Sequence, residues 1–199
     1  MDKKLKDKLY PTVSLVVICL VTTLAMAFVY ALAEDTIQIR AEEEAVAARV
    51  AVMPDANRFE LLDGEEALDA SGIVHAVYGA YDDEGLIGYV FDTIAPGYAG
   101  PVHSFVAVEA EDMKITGLRI TDSSETPGLG RNASNPSFYE LFAGMGGIDV
   151  NITVVKTEAV ADNEIEAITS ATVTTYTVVN QANAALDTAA LLIEKGAGQ

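Results

Sequence analysis

Cysteine and basic residues are scarce in this chain of 199 residues, and each shortage excludes a class of function. The single cysteine, Cys19, excludes an intramolecular disulfide and any zinc or iron–sulfur site held by several thiolates of one chain. Only 12 Lys and Arg stand against 30 Asp and Glu, a formal charge of −18. Because binding to nucleic-acid phosphates requires cations at the contact, we expect no nucleic-acid partner.

Two further kinds of site find no support in the sequence. The two histidines, His75 and His103, fall in separate predicted strands, and no third metal ligand can be identified beside them, so we expect no metal site. Glycine patterns of the Walker or Rossmann type are also missing. A nucleotide gripped by one of those folds is therefore not expected.

One long apolar run is present near the N-terminus. Leu9 to Ala33 contains no charged side chain, and at about 1.5 Å per residue it is long enough to cross a hydrocarbon core of about 30 Å. Four lysines precede the run, and Glu34 and Asp35 follow it. The excess of positive charge before the run predicts a single transmembrane helix with its N-terminus in the cytoplasm and the rest of the chain outside.

Two other interpretations of this run remain open. Ala31-Leu32-Ala33 is similar to a signal-peptide cleavage site, but the run is longer than the roughly 7–15 residues of a signal-peptide core. A lipid anchor on Cys19 is disfavoured by the bulky Val17 and Ile18 before it. We therefore predict a membrane anchor. Beyond it the chain carries eight basic and 28 acidic residues, so the exported part is an acidic body.

The remainder of the chain divides into a helical segment and a mixed domain. Thr36 to Met53 is rich in Ala, contains neither Gly nor Pro, and is followed by Pro54, which predicts a stalk helix. We place the anchor at residues 1–33, the stalk and linker at 34–70, and one domain at 71–199.

The domain is predicted to be α+β, because short strands precede one clear helix. Runs rich in β-branched and aromatic residues, separated by turn signals, predict strands. The predicted strands are Ile73–Tyr78, Leu86–Ile94, Val102–Val108, Ile115–Ile120 and Asn151–Lys156, with a short helix over Pro136–Phe142. In the C-terminal helix, apolar residues at helical spacing predict one buried face: Val178, Ala182, Ala185, Leu186, Ala189 and Ile193.

The segment before that helix, Thr169-Ser170-Ala171-Thr172, is the first candidate site. Thr169 or Ser170 is predicted to cap the helix, which places Thr172 in its first turn. Backbone N–H groups are unpaired there and the helix dipole is positive, so a phosphate on Thr172 would be stabilised. Taken alone, the segment is more typical of an ordinary helix cap rich in Ser and Thr.

A second candidate, Glu125-Thr126-Pro127-Gly128-Leu129-Gly130, predicts a tight loop whose backbone can approach a ligand closely. Together the two segments resemble the FMN-binding domain shared by the G subunit of the Rnf electron-transport complex and the C subunit of the sodium-pumping NADH:quinone reductase. The turn Gly97-Tyr98-Ala99-Gly100-Pro101 resembles a third, looser signature. The resemblance covers roughly residues 72–199.

This resemblance implies a mainly antiparallel sheet flanked by helices and a covalent FMN cofactor. The FMN is expected on Thr172 through a phosphoester, within a motif formed with Thr169, Ser170 and Ala171. A flavin transferase that uses FAD is expected to attach it. The loop is expected to line the flavin ring through Glu125, Thr126, Pro127, Gly128 and Leu129.

The sequence departs from the family pattern at several positions. Ser170 replaces the usual Gly, Glu166 replaces a common Asp, and Ser123-Ser124 stands where a His often occurs. Of these departures the Gly-to-Ser change matters most, because it places a side chain two residues before Thr172.

The chain is shorter than the quinone-reductase C subunits, which favours a Rnf-type G subunit. The implied function is to relay electrons within a membrane complex that exchanges them between ferredoxin and NAD and moves ions. The partners would be the other membrane subunits, and the chain would not be catalytic alone. The alternatives are a stand-alone flavoprotein of an extracytoplasmic electron-transfer chain, a C-type subunit, or an acidic scaffold domain with a vestigial motif.

Overall fold

The computed structural model describes residues 3–62 and 71–196. The linker predicted over residues 34–70 therefore includes residues 63–70, which lie outside the described part of the chain. The chain divides into two compact units, Met1–Glu44 and Ala45–Gln199. The domain boundaries at residues 33 and 70 remain predictions.

A single helix, α1, spans Lys3–Val52 and contains both the apolar run and the predicted stalk. From Tyr10 to Glu44 none of its side chains is buried within the protein, although this part includes nearly the entire apolar run. Among the described residues, α1 is the one helix long and apolar enough to cross a membrane. The predicted helix over Thr36–Met53 is confirmed, and it ends one residue early, before Met53 and Pro54.

The second unit is built on a five-stranded antiparallel sheet whose strands lie in chain order. The strands are β1 (Arg58–Leu61), β2 (Val74–Tyr81), β3 (Leu86–Pro96), β4 (Pro101–Glu109) and β5 (Ile115–Ser123). The sequence predicts β2 to β5, each within a few residues of its observed ends. It does not predict β1, a short edge strand that pairs with β2.

Three shorter elements follow β5 before the last helix. A 3-10 helix spans Gly130–Ser134, and the helix predicted over Pro136–Phe142 divides into α2 (Pro136–Tyr139) and a 3-10 turn. Two short parallel strands, β6 (Thr153–Val155) and β7 (Glu164–Glu166), pair with each other. β6 lies inside the strand predicted over 151–156, whereas β7 is not predicted.

The C-terminal helix α3 spans Thr172–Lys195 and packs on one face of the sheet. Five of the six apolar positions predicted to form its buried face are buried, and Ile193, in the last turn, is 37% exposed. The helix ends at Gly196, whose φ of 68° is left-handed, with Lys195 in the last turn.

Each face of the sheet has its own hydrophobic core. On one face, Tyr89, Phe91 and Val106 of the sheet pack with Val178 and Ala182 of α3. The second core contains Val90, Phe105 and Ala107 of the sheet, together with Ala48 and Val52 of α1. The predicted α+β class, with a mainly antiparallel sheet flanked by helices, is confirmed.

Candidate functional site

Thr172 occupies the first position of α3, as predicted, but the predicted cap is wrong. The residue at the N-cap is Ala171, and no side chain caps the helix. The reason is the backbone before it, because Ser170 has a left-handed φ of 63°. This turn moves the start of the helix one residue past Ser170, so neither Thr169 nor Ser170 occupies the position from which a side chain caps.

The first N–H groups of α3 consequently have no side-chain acceptor. The first intrahelical bond runs from the Thr175 N–H to the Ala171 carbonyl, 3.1 Å. The N–H groups of Thr172, Val173 and Thr174 precede it and have no partner within the helix. With the positive end of the helix dipole, these groups form a favourable position for an anion.

The turn that precedes α3 is held by one buried threonine. The Thr175 hydroxyl accepts the Ile168 N–H at 3.1 Å and donates to the Ala171 carbonyl at 3.1 Å. The Ala171 N–H also donates to the Ile168 carbonyl at 2.9 Å. These bonds fix the path of residues 168–171 and therefore the position of the Thr172 side chain, which is partly exposed.

The loop after β5 forms a tight turn, as its Pro and Gly residues predict. The Thr126 carbonyl accepts the N–H groups of Leu129 at 3.1 Å and Arg131 at 3.2 Å. Gly128 has a φ of 78°, which a residue with a side chain rarely adopts. The loop leads directly into the 3-10 helix at Gly130.

The hairpin turn between β3 and β4, residues 97–100, is bonded to this loop. It closes on itself through the Gly97 N–H, which donates to the Gly100 carbonyl at 2.8 Å. Glu125 Oε1 accepts the Tyr98 N–H at 2.6 Å and the Ala99 N–H at 3.2 Å. Hairpin and loop are therefore joined by a carboxylate whose residue is only 3% exposed.

Two side chains of α3 donate hydrogen bonds to the backbone of the same hairpin. The Thr177 hydroxyl donates to the Pro96 carbonyl at 2.8 Å. Gln181, which is fully buried, donates to the carbonyls of Val102 at 2.8 Å and Thr93 at 3.3 Å. Hairpin, loop and α3 thus form one connected structure, although they are distant in sequence.

A cavity of about 350 Å³ lies where these three segments meet. Its lining residues are Tyr98, Glu125, Thr126, Leu129, Gly130, Ser170, Ala171, Thr172, Val173 and Thr174. Six of the nine residues predicted to bind the cofactor are among them. Thr169, Pro127 and Gly128 are not in the lining, although each is adjacent in sequence to a residue that is.

Four lining residues fall outside the predicted set: Tyr98, Gly130, Val173 and Thr174. Tyr98 belongs to the turn that resembles the looser family signature, so this resemblance was the signal that pointed to it. Gly130 is the last residue of the predicted loop, and a Cβ there would collide with the side chains of Glu125 and Thr174. A larger residue at this position would therefore displace the buried carboxylate or Thr174.

The site has the features that an FMN would need. The open N–H groups at the start of α3 suit a phosphate, and the hydroxyl of Thr172 is beside them. The cavity volume lies in the range of about 300–1,000 Å³ typical of small-molecule sites. Leu129 and Val173 provide apolar surface for a ring system, while Tyr98, 77% exposed, lies at the rim.

Comparison with known proteins identifies the family of this domain. Residues 97–187 match the FMN-binding domain family, and this range contains all ten residues that line the cavity. The chain is 32% identical over 178 residues to the G subunit of the Na(+)-translocating ferredoxin:NAD(+) oxidoreductase complex of Acetobacterium woodii, covering 85% of each chain. It is 27% identical over 176 residues to the G subunit of the ion-translocating oxidoreductase complex of Methanosarcina acetivorans, covering 88% of this chain and 90% of the relative.

A solved structure shares the fold. The C subunit of the Na(+)-translocating NADH-quinone reductase of Parabacteroides distasonis superposes with a TM-score of 0.58 at 19% identity, covering 80% of this chain and 96% of that chain. The two sequence relatives match over most of their own length. The chain therefore belongs to the family of Rnf-complex G subunits, membrane-anchored proteins that carry an FMN-binding domain.

Proposed function

We propose that this chain relays electrons within a membrane-bound ferredoxin:NAD oxidoreductase complex of the Rnf type, through FMN joined covalently to Thr172. As a G subunit with an FMN-binding domain, it is a redox subunit of an ion-translocating complex. The FMN-binding domain would lie on the extracytoplasmic side of the membrane. The other membrane subunits would be its partners.

One observation carries the assignment to Thr172. Its side chain lines the cavity, and its hydroxyl stands at the first position of a helix whose N-terminus has no side-chain cap. A phosphoester formed at Thr172 Oγ1 would lie next to the open N–H groups of Val173 and Thr174. The flavin ring would then extend between the 125–130 loop and the hairpin turn that carries Tyr98.

Attachment of FMN to Thr172 requires transfer of the FMN group from FAD. A flavin transferase would form the bond between Thr172 Oγ1 and the FMN phosphorus of FAD while the pyrophosphate bond of FAD breaks. AMP would leave, together with the proton of the hydroxyl. Thr172 is partly exposed and Ser170 is exposed, so the segment is accessible to such an enzyme.

The bound FMN would supply one- and two-electron redox chemistry. The chain's own residues would hold the phosphate at the start of α3, orient the ring and set its electrostatic surroundings. A covalent bond also prevents loss of the flavin on the outer side of the membrane, where no FMN pool would replace it.

The linkage is tested on full-length protein co-expressed with a flavin transferase. We expect a denatured gel band that fluoresces as flavin, an intact mass increased by one FMN less one water, and the added mass on the peptide that contains Thr172. A dark band at the unmodified mass would reject covalent attachment and favour the scaffold alternative.

The location of the domain is tested separately. Glu111 is exposed on the domain, so a Glu111→Cys variant in a Cys19→Ser background offers one accessible thiol. We expect a membrane-impermeant maleimide to label this thiol in intact cells. Labelling that occurs only after lysis would place the domain in the cytoplasm.

A further inference from the structure

Glu125 is the one acidic side chain in the lining of the cavity, and it is almost completely buried. A buried carboxylate is costly unless donors surround it. Here the donors are the backbone N–H groups of Tyr98 and Ala99, both bonded to Oε1. The carboxylate of Glu125 therefore lies inside the wall of the cavity, where two backbone N–H groups donate hydrogen bonds to it.

The backbone around Glu125 is shaped to accept it. A Cβ at Gly97 would collide with Oε1, and a Cβ at Gly130 would collide with Oε2. A side chain at either position would therefore displace the carboxylate. The carboxylate thus occupies a slot between the hairpin turn and the start of the 3-10 helix, two segments separated by 33 positions in the chain.

Glu125 also leaves the start of α3 uncapped. An acidic side chain near a helix N-terminus commonly accepts its free N–H groups. Glu125 Oε1 bonds the hairpin turn instead, and α3 has no side-chain cap. Because Glu125 Oε1 is bonded to the hairpin turn, the N–H groups at the start of α3 are left for another acceptor.

We infer that Glu125 is a positioning residue that holds the 97–100 hairpin turn against the flavin and, through its charge, lowers the flavin's reduction potential. The inference rests on the proposed function, because it requires FMN on Thr172. Reduction of a flavin ring by two electrons and one proton adds one negative charge to the ring. A fixed negative charge in a wall shielded from water opposes that change.

Two neutral variants separate charge from hydrogen bonding. Glu125→Gln removes the charge and retains an oxygen that can accept the Tyr98 N–H. Glu125→Met removes both. The matched control is Asp122→Asn, which removes one negative charge from an exposed residue of β5 outside the cavity lining. Each full-length protein is loaded by co-expression with a flavin transferase and titrated with dithionite, the reductant, against reference dyes.

The expected result is a more positive midpoint potential in both neutral variants and no shift in the control. We also expect the Met variant to carry less covalent flavin per folded protein, because the hairpin turn has lost its acceptor. If Glu125→Met fails to fold, the Gln variant, which keeps the acceptor, still reports the effect of the charge.

Two results would overturn the inference. If the neutral variants have the potential of the control, the charge of Glu125 does not act on the flavin. If the Met variant binds as much flavin as the wild type, Glu125 does not position the site. Loss of covalent flavin from the wild type would instead reject the proposed function, and this inference with it, so the two failures are distinguishable.

Discussion

Two helix ends in the globular unit are built in opposite ways. The C-terminal end of α1 is closed: the Thr116 hydroxyl donates to the Val52 carbonyl at 2.9 Å, and the backbone of Gly117 packs directly against Val52. Arg49, in the last turn, is 6% exposed, with its guanidinium 4.3 Å from the centre of the Tyr78 ring. The N-terminal end of α3 has no side-chain cap and opens on a cavity.

The difference between the two ends reflects two roles, one that stabilises the fold and one that binds a ligand. A helix end that only joins two elements gains stability when its terminal groups are bonded and packed. An end that binds a ligand must leave those groups open until the ligand arrives. The segments around the open end of α3 are held by side chains of α3 itself, those of Thr175, Thr177 and Gln181.

The largest effect is expected from removal of the Thr172 hydroxyl, which we propose is the acceptor of the flavin at the open end. We expect Thr172→Val to abolish covalent flavin completely while the fold is kept, because Val has nearly the same shape and no oxygen. In-gel flavin fluorescence and intact mass measure the loss, and circular dichroism checks the fold.

The matched control is Thr157→Val, which removes the hydroxyl of an exposed threonine outside the cavity lining. This control should carry flavin like the wild type. Flavin that survives denaturation in Thr172→Val would transfer the attachment to another residue and leave the open helix end without its proposed purpose.

A matched pair of glycine substitutions tests whether the two ends are independent. A Cβ at Gly117 would lie 2.7 Å from the Val52 carbonyl oxygen, so Gly117→Ala should force a backbone shift at the closed end. Overpacking of this kind typically costs about 1–3 kcal/mol, or roughly 2–4 °C in Tm for each kcal/mol. We expect a lower Tm and an unchanged flavin content per folded protein.

Gly130→Ala makes the corresponding change at the open end, where the new methyl would meet Glu125 and Thr174. We expect this variant to lose flavin content as well as stability. Thermal melts and the flavin-to-protein absorbance ratio compare the two variants. Equal flavin loss in both would mean that the two ends do not act separately.

The elements that the sequence predicts well are those with a repeated local signal. The strands β2 to β5 are rich in β-branched and aromatic residues between turn signals, and α3 repeats apolar residues at helical spacing. β1 and β7 are only four and three residues long, too short to show a period, and they depend on pairing with a neighbour. Ile193 follows the helical pattern but lies in the last turn, where it is partly exposed.

The site was predictable in part for a different reason. Resemblance to a family pointed to the loop and to Thr172, whereas no local pattern indicates that Tyr98 and Glu125, 27 residues apart, bond to each other. The cap was mispredicted because composition alone does not reveal the left-handed backbone of Ser170. Local sequence patterns therefore predicted neither the long-range hydrogen bonds of the site nor its backbone angles.

A moderate effect on stability is expected from substitution of Ser170, at the open end of α3. Its φ of 63° is left-handed, which costs a residue with a side chain about 1–2 kcal/mol. Glycine relieves this strain but loses roughly 0.5–1 kcal/mol through the greater freedom of the unfolded chain. We expect Ser170→Gly to raise stability by up to about 1 kcal/mol, with flavin attachment retained.

Thermal melts of the flavin-free protein measure this gain. Ser170→Ala serves as the control, because it removes the hydroxyl but keeps the Cβ and should show no gain. A lower Tm for Ser170→Gly would mean that the serine hydroxyl stabilises the turn more than the left-handed backbone strains it.

The smallest expected effect concerns a charge near the closed end. Asp92 lies on β3 opposite Ala76 and Phe105. Burial raises the pKa of Asp92 above its usual 3.8, and the positive charges of His103, His75 and Arg49 only partly oppose this shift. Because the pKa is higher in the folded protein, Asp92 favours folding most below pH 3.8, and that contribution is lost as the pH rises through the folded value.

Asp92→Asn should therefore raise the Tm at pH 7, and its advantage over the wild type should shrink as the pH falls toward 3.8. Asp122→Asn is the control, since removal of any carboxylate relieves repulsion in a body with 28 acidic residues. Tm measured against pH for the three proteins separates the two effects. A wild type more stable than Asp92→Asn at pH 7 would mean that attraction between Asp92 and the positive charges of His103, His75 and Arg49 outweighs the cost of burial. The closed end of α1 would then depend on a charge, as we propose for the open end of α3.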